Sequence, residues 1–326
     1  MMCRMTAAAS RIARTALRPA AAIVAALVAT GAVTGCSWRA ETPPIERRTP
    51  TPEVAMRDAA AVREQAVLDA AGSGLLKEST ARTAAAHLEA LGGVYVATPS
   101  PSPEWSATAS EPVPQHALED AVKAAIEGAL DAASTAAASD PSLTALLRSI
   151  ALSHAVALDA PAAAGEAPAA RPMPGTSTDS LVPAEGTAVP AATLAALAVD
   201  HDRAAFALEV GAARAEEDER LAALELAALH RARAADLIAL DGVDDARAEL
   251  YAVSPDSVAS PASRAALALA IEIDLAERYA RLLGDATADD ADWILNASYD
   301  AYVRAASLPG FAATDVPALP GLELAD

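Results

Sequence analysis

The sequence predicts an all-α protein built as two tandem four-helix bundles joined by a flexible linker. Three observations carry this. Hydrophobic residues fill 53% of the 326 positions while aromatics fill only 3%, and a core rich in Ala and Leu suits closely packed helices better than sheets. Helical pattern recurs along the chain, and no convincing strand-type alternation occurs. An Ala/Pro/Gly-rich stretch, Asp159–Pro190, separates the helical pattern into two regions. It is too long and too poor in large apolar residues to be an ordinary loop, so it reads as a linker.

In chain order, the N-terminus comes first. Residues 1–35 combine a basic region (Met1–Arg18), an apolar segment (about Pro19–Val33) and small residues before Cys36. The apolar segment is short for a bilayer span and has the proportions of a signal peptide. Val33-Thr34-Gly35-Cys36 resembles the lipobox of bacterial lipoproteins. That resemblance implies diacylglycerylation of the Cys36 sulfur, cleavage before it, and anchoring to the extracytoplasmic face of the cell membrane. Several acyl chains on one residue hold a protein on a membrane where one chain binds only marginally. Cleavage would also remove Cys3, the only other cysteine. The mature chain would then have no disulfide and no pair of thiols.

Residues 36–52 are polar and Pro-rich, as a tether is. The first bundle is expected over 53–158, with helices near Glu53–Ala71, Leu75–Leu91, Gln115–Ala138 and Pro141–Leu158. Gly72-Ser73-Gly74 breaks the first pair, Thr98–Pro114 separates the second helix from the third, and Asp140-Pro141 is a helix-start signal. After the 159–190 linker, a second bundle is expected over 191–308. Its helices lie near Ala191–Ala215, Asp218–Leu240, Pro261–Leu283 and Asp289–Ser307. Residues 309–326 read as an extended tail.

The halves resemble each other. "AAHLEALGGV" (Ala85–Val94) aligns without gaps on "AADLIALDGV" (Ala234–Val243), and each is followed by a Tyr-x-x-Thr/Ser-Pro element, Tyr95–Pro99 and Tyr251–Pro255. This favours a diverged tandem duplication.

Charge narrows the partners. The formal net charge is −20, and past residue 35 the balance is 20 basic against 44 acidic residues. Such a surface is repelled by nucleic acid phosphates, so no nucleic acid partner is expected. There is no Gly-x-Ser-x-Gly elbow, no Gly-rich phosphate loop and no His-Glu-x-x-His, so a noncatalytic role is expected.

Asp200-His201, "LHRARAADLIAL" and "ASRAALALAIEIDLAERYARLL", taken together over about Val189–Leu308, resemble an actinobacterial ferritin-like domain of unknown function. The resemblance implies a left-handed four-helix bundle with one long crossover, for which Asp241–Ser260 serves, and the first half reads as a degenerate copy. Two tandem ferritin-like bundles follow. Carboxylate sites in such bundles use Glu-x-x-His pairs, because positions i and i+3 share a helical face. The residues three before His87, His116, His154, His201 and His230 are Ala84, Val113, Ala151, Ala198 and Ala227, so the pair is absent. No cofactor, and no stoichiometric iron or manganese, is expected.

The candidates for a nonstandard metal site are Glu209, Glu225, His230, Glu272, Asp274 and Asp300, spread over the four helices of the second half. Against them, His201 beside Asp200 reads as an end-of-helix contact, and His230 with Arg231 and Arg233 reads as a solvated face. The expected function is a lipid-anchored cell-envelope protein that binds an envelope protein or ligand without catalysis. Ferritin-like metal handling is the rival.

Overall fold

The computed structural model describes residues 50–71, 75–94, 117–163, 172–177 and 180–322. The signal peptide, Cys36, most of the tether, Trp38, Trp105 and His116 lie outside these residues, as do parts of the 159–190 linker and of the tail. Among the described residues the chain is all-helical, with eight α-helices and no strand: α1 Pro52–Ala71, α2 Leu75–Ala90, α3 Ala117–Ala136, α4 Pro141–Ala163, α5 Ala191–Ala212, α6 Glu217–Ile238, α7 Pro261–Ala280 and α8 Ala288–Ser307. Short 3-10 turns occupy Asp256–Val258, Arg281–Gly284 and Ala313–Asp315.

Local chemistry sets the helix ends. At α4, the Asp140 carboxylate accepts from the Leu143 N–H at 2.9 Å, with Pro141 at the first helical position. Ser260 caps α7 through a reciprocal bond pair with Ser263, and Thr287 caps α8 through Asp290. The α2 and α6 helices end alike. Gly93 and Gly242, which occupy matching positions of the repeated decapeptide, both take positive φ, 79° and 78°, the conformation that glycine adopts at least cost.

Sequence neighbours pack as antiparallel pairs, α1 with α2, α3 with α4, α5 with α6 and α7 with α8, and α4 also packs on α8. The main core cluster is shared by both halves, and a small second one joins Ala205, Leu208 and Ala227. The main cluster runs from Ala61, Val67 and Leu91 through Ile126, Leu147 and Leu152 to Leu197, Tyr279, Trp293 and Tyr302. Arg148 of α4 donates to the Leu283 and Ala286 carbonyls at 3.2 and 2.8 Å, satisfying the end of the turn after α7.

The connection between the halves differs from a free chain wherever it is described. The α4 helix continues to Ala163 instead of ending near Leu158. Met173 is buried, and its N–H donates to the Asn296 amide oxygen at 2.7 Å. The Thr187 hydroxyl and the Ala188 N–H both donate to Asp290. Composition alone misses this because a few polar residues on α8 supply the partners that the apolar-poor segment lacks.

The crossover from α6 to α7 is extended, as expected. The tail crosses both halves. Leu319 is buried, the Ser149 hydroxyl donates to the Pro320 carbonyl at 2.8 Å, and Gly321 lies so close to α7 that a Cβ would sit 2.3 Å from the Ala280 carbonyl carbon. One stretch, Pro141–Ala160, is long and apolar enough to cross a membrane, but 72% of it is buried in this core.

Candidate functional site

Two clusters of ionisable side chains lie in the interior, one in each half. In the first, Glu64 from α1, His87 from α2 and His154 from α4 meet, with exposures of 1%, 0% and 0%. Each occupies an apolar helical face: Ala60, Ala61 and Val67 flank Glu64, Ala84 and Leu91 flank His87, and Leu147, Ala151 and Ala155 flank His154, all buried. Burial of those faces carries the polar groups inward. His87 Nδ1 lies 2.9 Å from Glu64 Oε2, and His154 Nε2 lies 2.9 and 3.0 Å from the two carboxylate oxygens. The rings stand edge-on, centroids 4.7 Å apart at 87°. His87 Nε2 faces the Ala318 carbonyl at 2.6 Å, while His154 Nδ1 makes no hydrogen bond. Burial works against the Glu64 charge, but the close polar contacts of His154 and His87 and their electrostatic attraction outweigh it, holding the carboxyl at about 2. Burial pushes His154 below its ordinary 6.5 despite the carboxylate beside it.

The second cluster is a chain of contacts across α5–α8. Tyr279 Oη lies 2.7 Å from His201 Nε2, His201 Nδ1 lies 3.1 Å from His230 Nδ1, and His230 Nε2 lies 3.2 Å from Glu272 Oε1. Arg304 donates from Nε and Nη2 to Glu272 Oε2 at 3.0 Å each and also pairs with Asp300. Arg233 donates to Asp300 at 2.9 Å. The Glu272 anion sets the direction of the chain. With the proton assigned to His230 Nε2, at ion-pair distance from Glu272 Oε1 though outside hydrogen-bond geometry, His230 Nδ1 accepts from His201 Nδ1–H, and His201 Nε2 accepts from Tyr279. Burial, followed by the charges of His230, Arg233 and Arg304, holds His201 well below its ordinary value. Burial pushes the Tyr279 hydroxyl up to about 12. Burial also opposes the Glu272 charge, but Arg304 and His230 prevail and hold it at about 2.

Three of the six candidates, His230, Glu272 and Asp300, are thus brought together, and three are not. Glu209 is partly exposed and clasped by Arg231 at 2.7 Å from both Nε and Nη2. Glu225 and Asp274 are exposed. Two sequence readings need correction. His230 is buried rather than on a solvated face, because its neighbours at helical spacing, Ala227, Ala234 and Leu237, form the buried stripe of an otherwise exposed α6. His201 lies in the middle of α5, wholly buried, and makes no end-of-helix contact.

Among the described residues, the group that offers one ligand atom from each of three residues, all within 4.8 Å of one another, is Glu64, His87 and His154. None of these is among the sequence candidates. The search for Glu-x-x-His asks only about one helix at a time, whereas these ligands come from three. The available signal was a lone histidine inside each of two apolar helical faces.

A cleft of about 430 Å³ lies beside this group, lined by Thr83, Ser153, Ala157, Ala306, Phe311 and Val316 among others. It is bordered by α2, α4, α8 and the tail. No protein-family model, curated protein or solved structure matches the chain.

Proposed function

We propose that this protein is a lipid-anchored, noncatalytic binding protein of the extracytoplasmic membrane face, built from two diverged ferritin-like bundles. The anchor rests on the basic, apolar and small-residue succession that ends at Cys36. The duplication is supported by the paired-helix layout of each half and by the glycine-terminated α2 and α6.

The observation that carries the binding reading is the cleft between α2, α4, α8 and the tail. Its volume lies in the range of small-molecule sites. Its walls are mainly apolar side chains, Phe311, Leu308 and Val316 among them, with Thr83, Ser153 and Ser307 as polar members, which suits a small, largely apolar ligand with a few polar atoms. The residues of the two ionisable clusters are buried and none of them lines the cleft.

One experiment tests anchor and cleft together. Membranes bearing the native chain, Cys36→Ser and Ala157→Trp are fractionated, and an environment-sensitive apolar dye is titrated onto each purified protein. Cys36→Ser should leave the membrane fraction or fail to mature, and should keep dye binding if it is recovered. Ala157→Trp should stay on the membrane and lose most dye binding, with its helical circular dichroism retained. Unchanged membrane partition of Cys36→Ser, or dye binding by Ala157→Trp equal to the parent, contradicts the corresponding half of the reading.

The triad of Glu64, His87 and His154 favours metal handling as a second reading, although at a different site from the one the sequence suggests.

A further inference from the structure

We infer that Glu64, His87 and His154 form a mononuclear site for a divalent transition metal of zinc type. The inference stands apart from the anchor and the cleft, and either can fail without the other.

The Ala318 carbonyl only accepts, so the His87 Nε2 that faces it at 2.6 Å carries the hydrogen. With one proton on the ring, Nδ1 then presents a lone pair to Glu64 Oε2, 2.9 Å away. Two acceptors at that separation require positive charge between them, either a proton or a metal ion. On the other side of the carboxylate, His154 Nδ1 has no partner. The carboxylate only accepts, so His154 Nε2 carries the hydrogen when no ion is bound; the partnerless Nδ1 is where that proton moves when an ion takes the Nε2 lone pair.

The donor set fits one class of ion. Two imidazole nitrogens and one carboxylate oxygen suit zinc and its borderline neighbours, and leave a fourth position open. Ligand atoms around a tetrahedral zinc stand about 3.3 Å apart, given bonds of roughly 2.0–2.2 Å. Here the carboxylate and ring atoms are 2.9–3.0 Å apart, so small side-chain adjustments admit an ion. The Ala318 carbonyl supplies the outer contact that orients a ligating histidine and selects its tautomer. Burial of all three side chains keeps water from competing, and a buried carboxylate needs a cation in any case.

The second cluster contains the same residue types and still does not compete. Glu272 and Asp300 share Arg304, and Arg233 also pairs with Asp300. That cluster supplies its own fixed cations.

The test uses the full chain, stripped with chelator and dialysed. Zinc is titrated by calorimetry, and cobalt(II) serves as a spectroscopic substitute. One equivalent of zinc should bind per chain, the thermal midpoint should rise, and cobalt should give the visible absorption of a four- or five-coordinate site with nitrogen ligands. Glu64→Gln and His154→Ala should each weaken zinc binding by on the order of 100-fold, at or beyond what loss of an outer partner costs. Glu272→Gln, in the other cluster, should bind zinc like the parent. Glu64→Gln keeps the side-chain volume, and its circular dichroism reports whether it folds. The cobalt spectrum of the parent keeps the test decisive if that variant does not fold. Absence of stoichiometric zinc binding to the parent, an octahedral all-oxygen cobalt spectrum, or equal affinity in folded Glu64→Gln overturns the site.

Discussion

Glu64, on the first helix of the first half, and Glu272, on the third helix of the second, sit at different places in their halves but in similar surroundings. Both are buried carboxylates on helices, both are held at about 2, and both are contacted by histidine. They differ in what opposes their charge. Around Glu64 the opposing groups are two imidazoles, whose positive charge exists only while a proton is present. Around Glu272 the main opposing group is the Arg304 guanidinium, whose charge is permanent and whose own pKa the two carboxylates push higher against the effect of burial. A proton shared between nitrogen and oxygen can be exchanged for a metal ion without rebuilding the core. A guanidinium wedged between two carboxylates cannot. The contrast explains how similar residues yield a metal site in one half and a structural network in the other.

The largest way to break the contrast is to remove the fixed cation. Arg304→Leu leaves Glu272 facing only His230 and leaves Asp300 to Arg233. Taking one partner from a buried charged network costs about 3–5 kcal/mol, to be read from urea denaturation of the full chain. A loss below about 1 kcal/mol would mean that Glu272 is neutralised by other means.

Protonation offers a smaller effect with a defined sign. The folded-state pKa of His201 lies well below its ordinary 6.5, so below that pH the unfolded chain binds a proton that the native chain refuses. Stability therefore rises with pH through this window and is lost as pH falls below about 6.5, by up to ~1.4 kcal/mol per pH unit from one such group. His154 shifts in the same direction. His201→Gln should flatten the dependence between about pH 7 and 5. A slope identical to the parent's would assign the pH sensitivity elsewhere.

The smallest effect sharpens the comparison by taking similar ion-pair chemistry to the surface. Arg231 clasps Glu209 with two short bonds, but the side chains are 45% and 38% exposed. Glu209→Ala should cost less than about 1 kcal/mol. A cost near that of Arg304→Leu would show that burial is not what separates the two arginines.

The helices were legible because their signals are local. Pro141 after Asp140, the glycines after α2 and α6, and the alanine-rich periodic segments each determine structure within a few residues. Three of the second cluster's seven residues, His230, Glu272 and Asp300, were legible too, since ionisable residues on successive helices of one bundle are candidates to converge. The triad was not, because Glu64, His87 and His154 are brought together only by packing: Glu64 precedes His87 by 23 positions and His154 by 90. His230 was misread for a related reason. The charged residues one and three positions later suggested water, but the helical neighbours that decide burial, Ala227 and Ala234, are apolar. The packing of residues 172–177 and 180–190 onto α8 was hidden because it depends on Asn296, Asp292 and Asp290 more than 100 positions away.

The Ala318 carbonyl has a consequence for the order of events in biosynthesis. It lies 231 positions after the histidine it orients. A chain synthesised from its N-terminus delivers Glu64, His87 and His154 before the tail. Until Leu319 and Gly321 seat against α4 and α7, His87 lacks the contact that selects its tautomer. The oldest part of the polypeptide therefore waits for one of the youngest, and the proposed metal site is complete only once the tail has folded onto it.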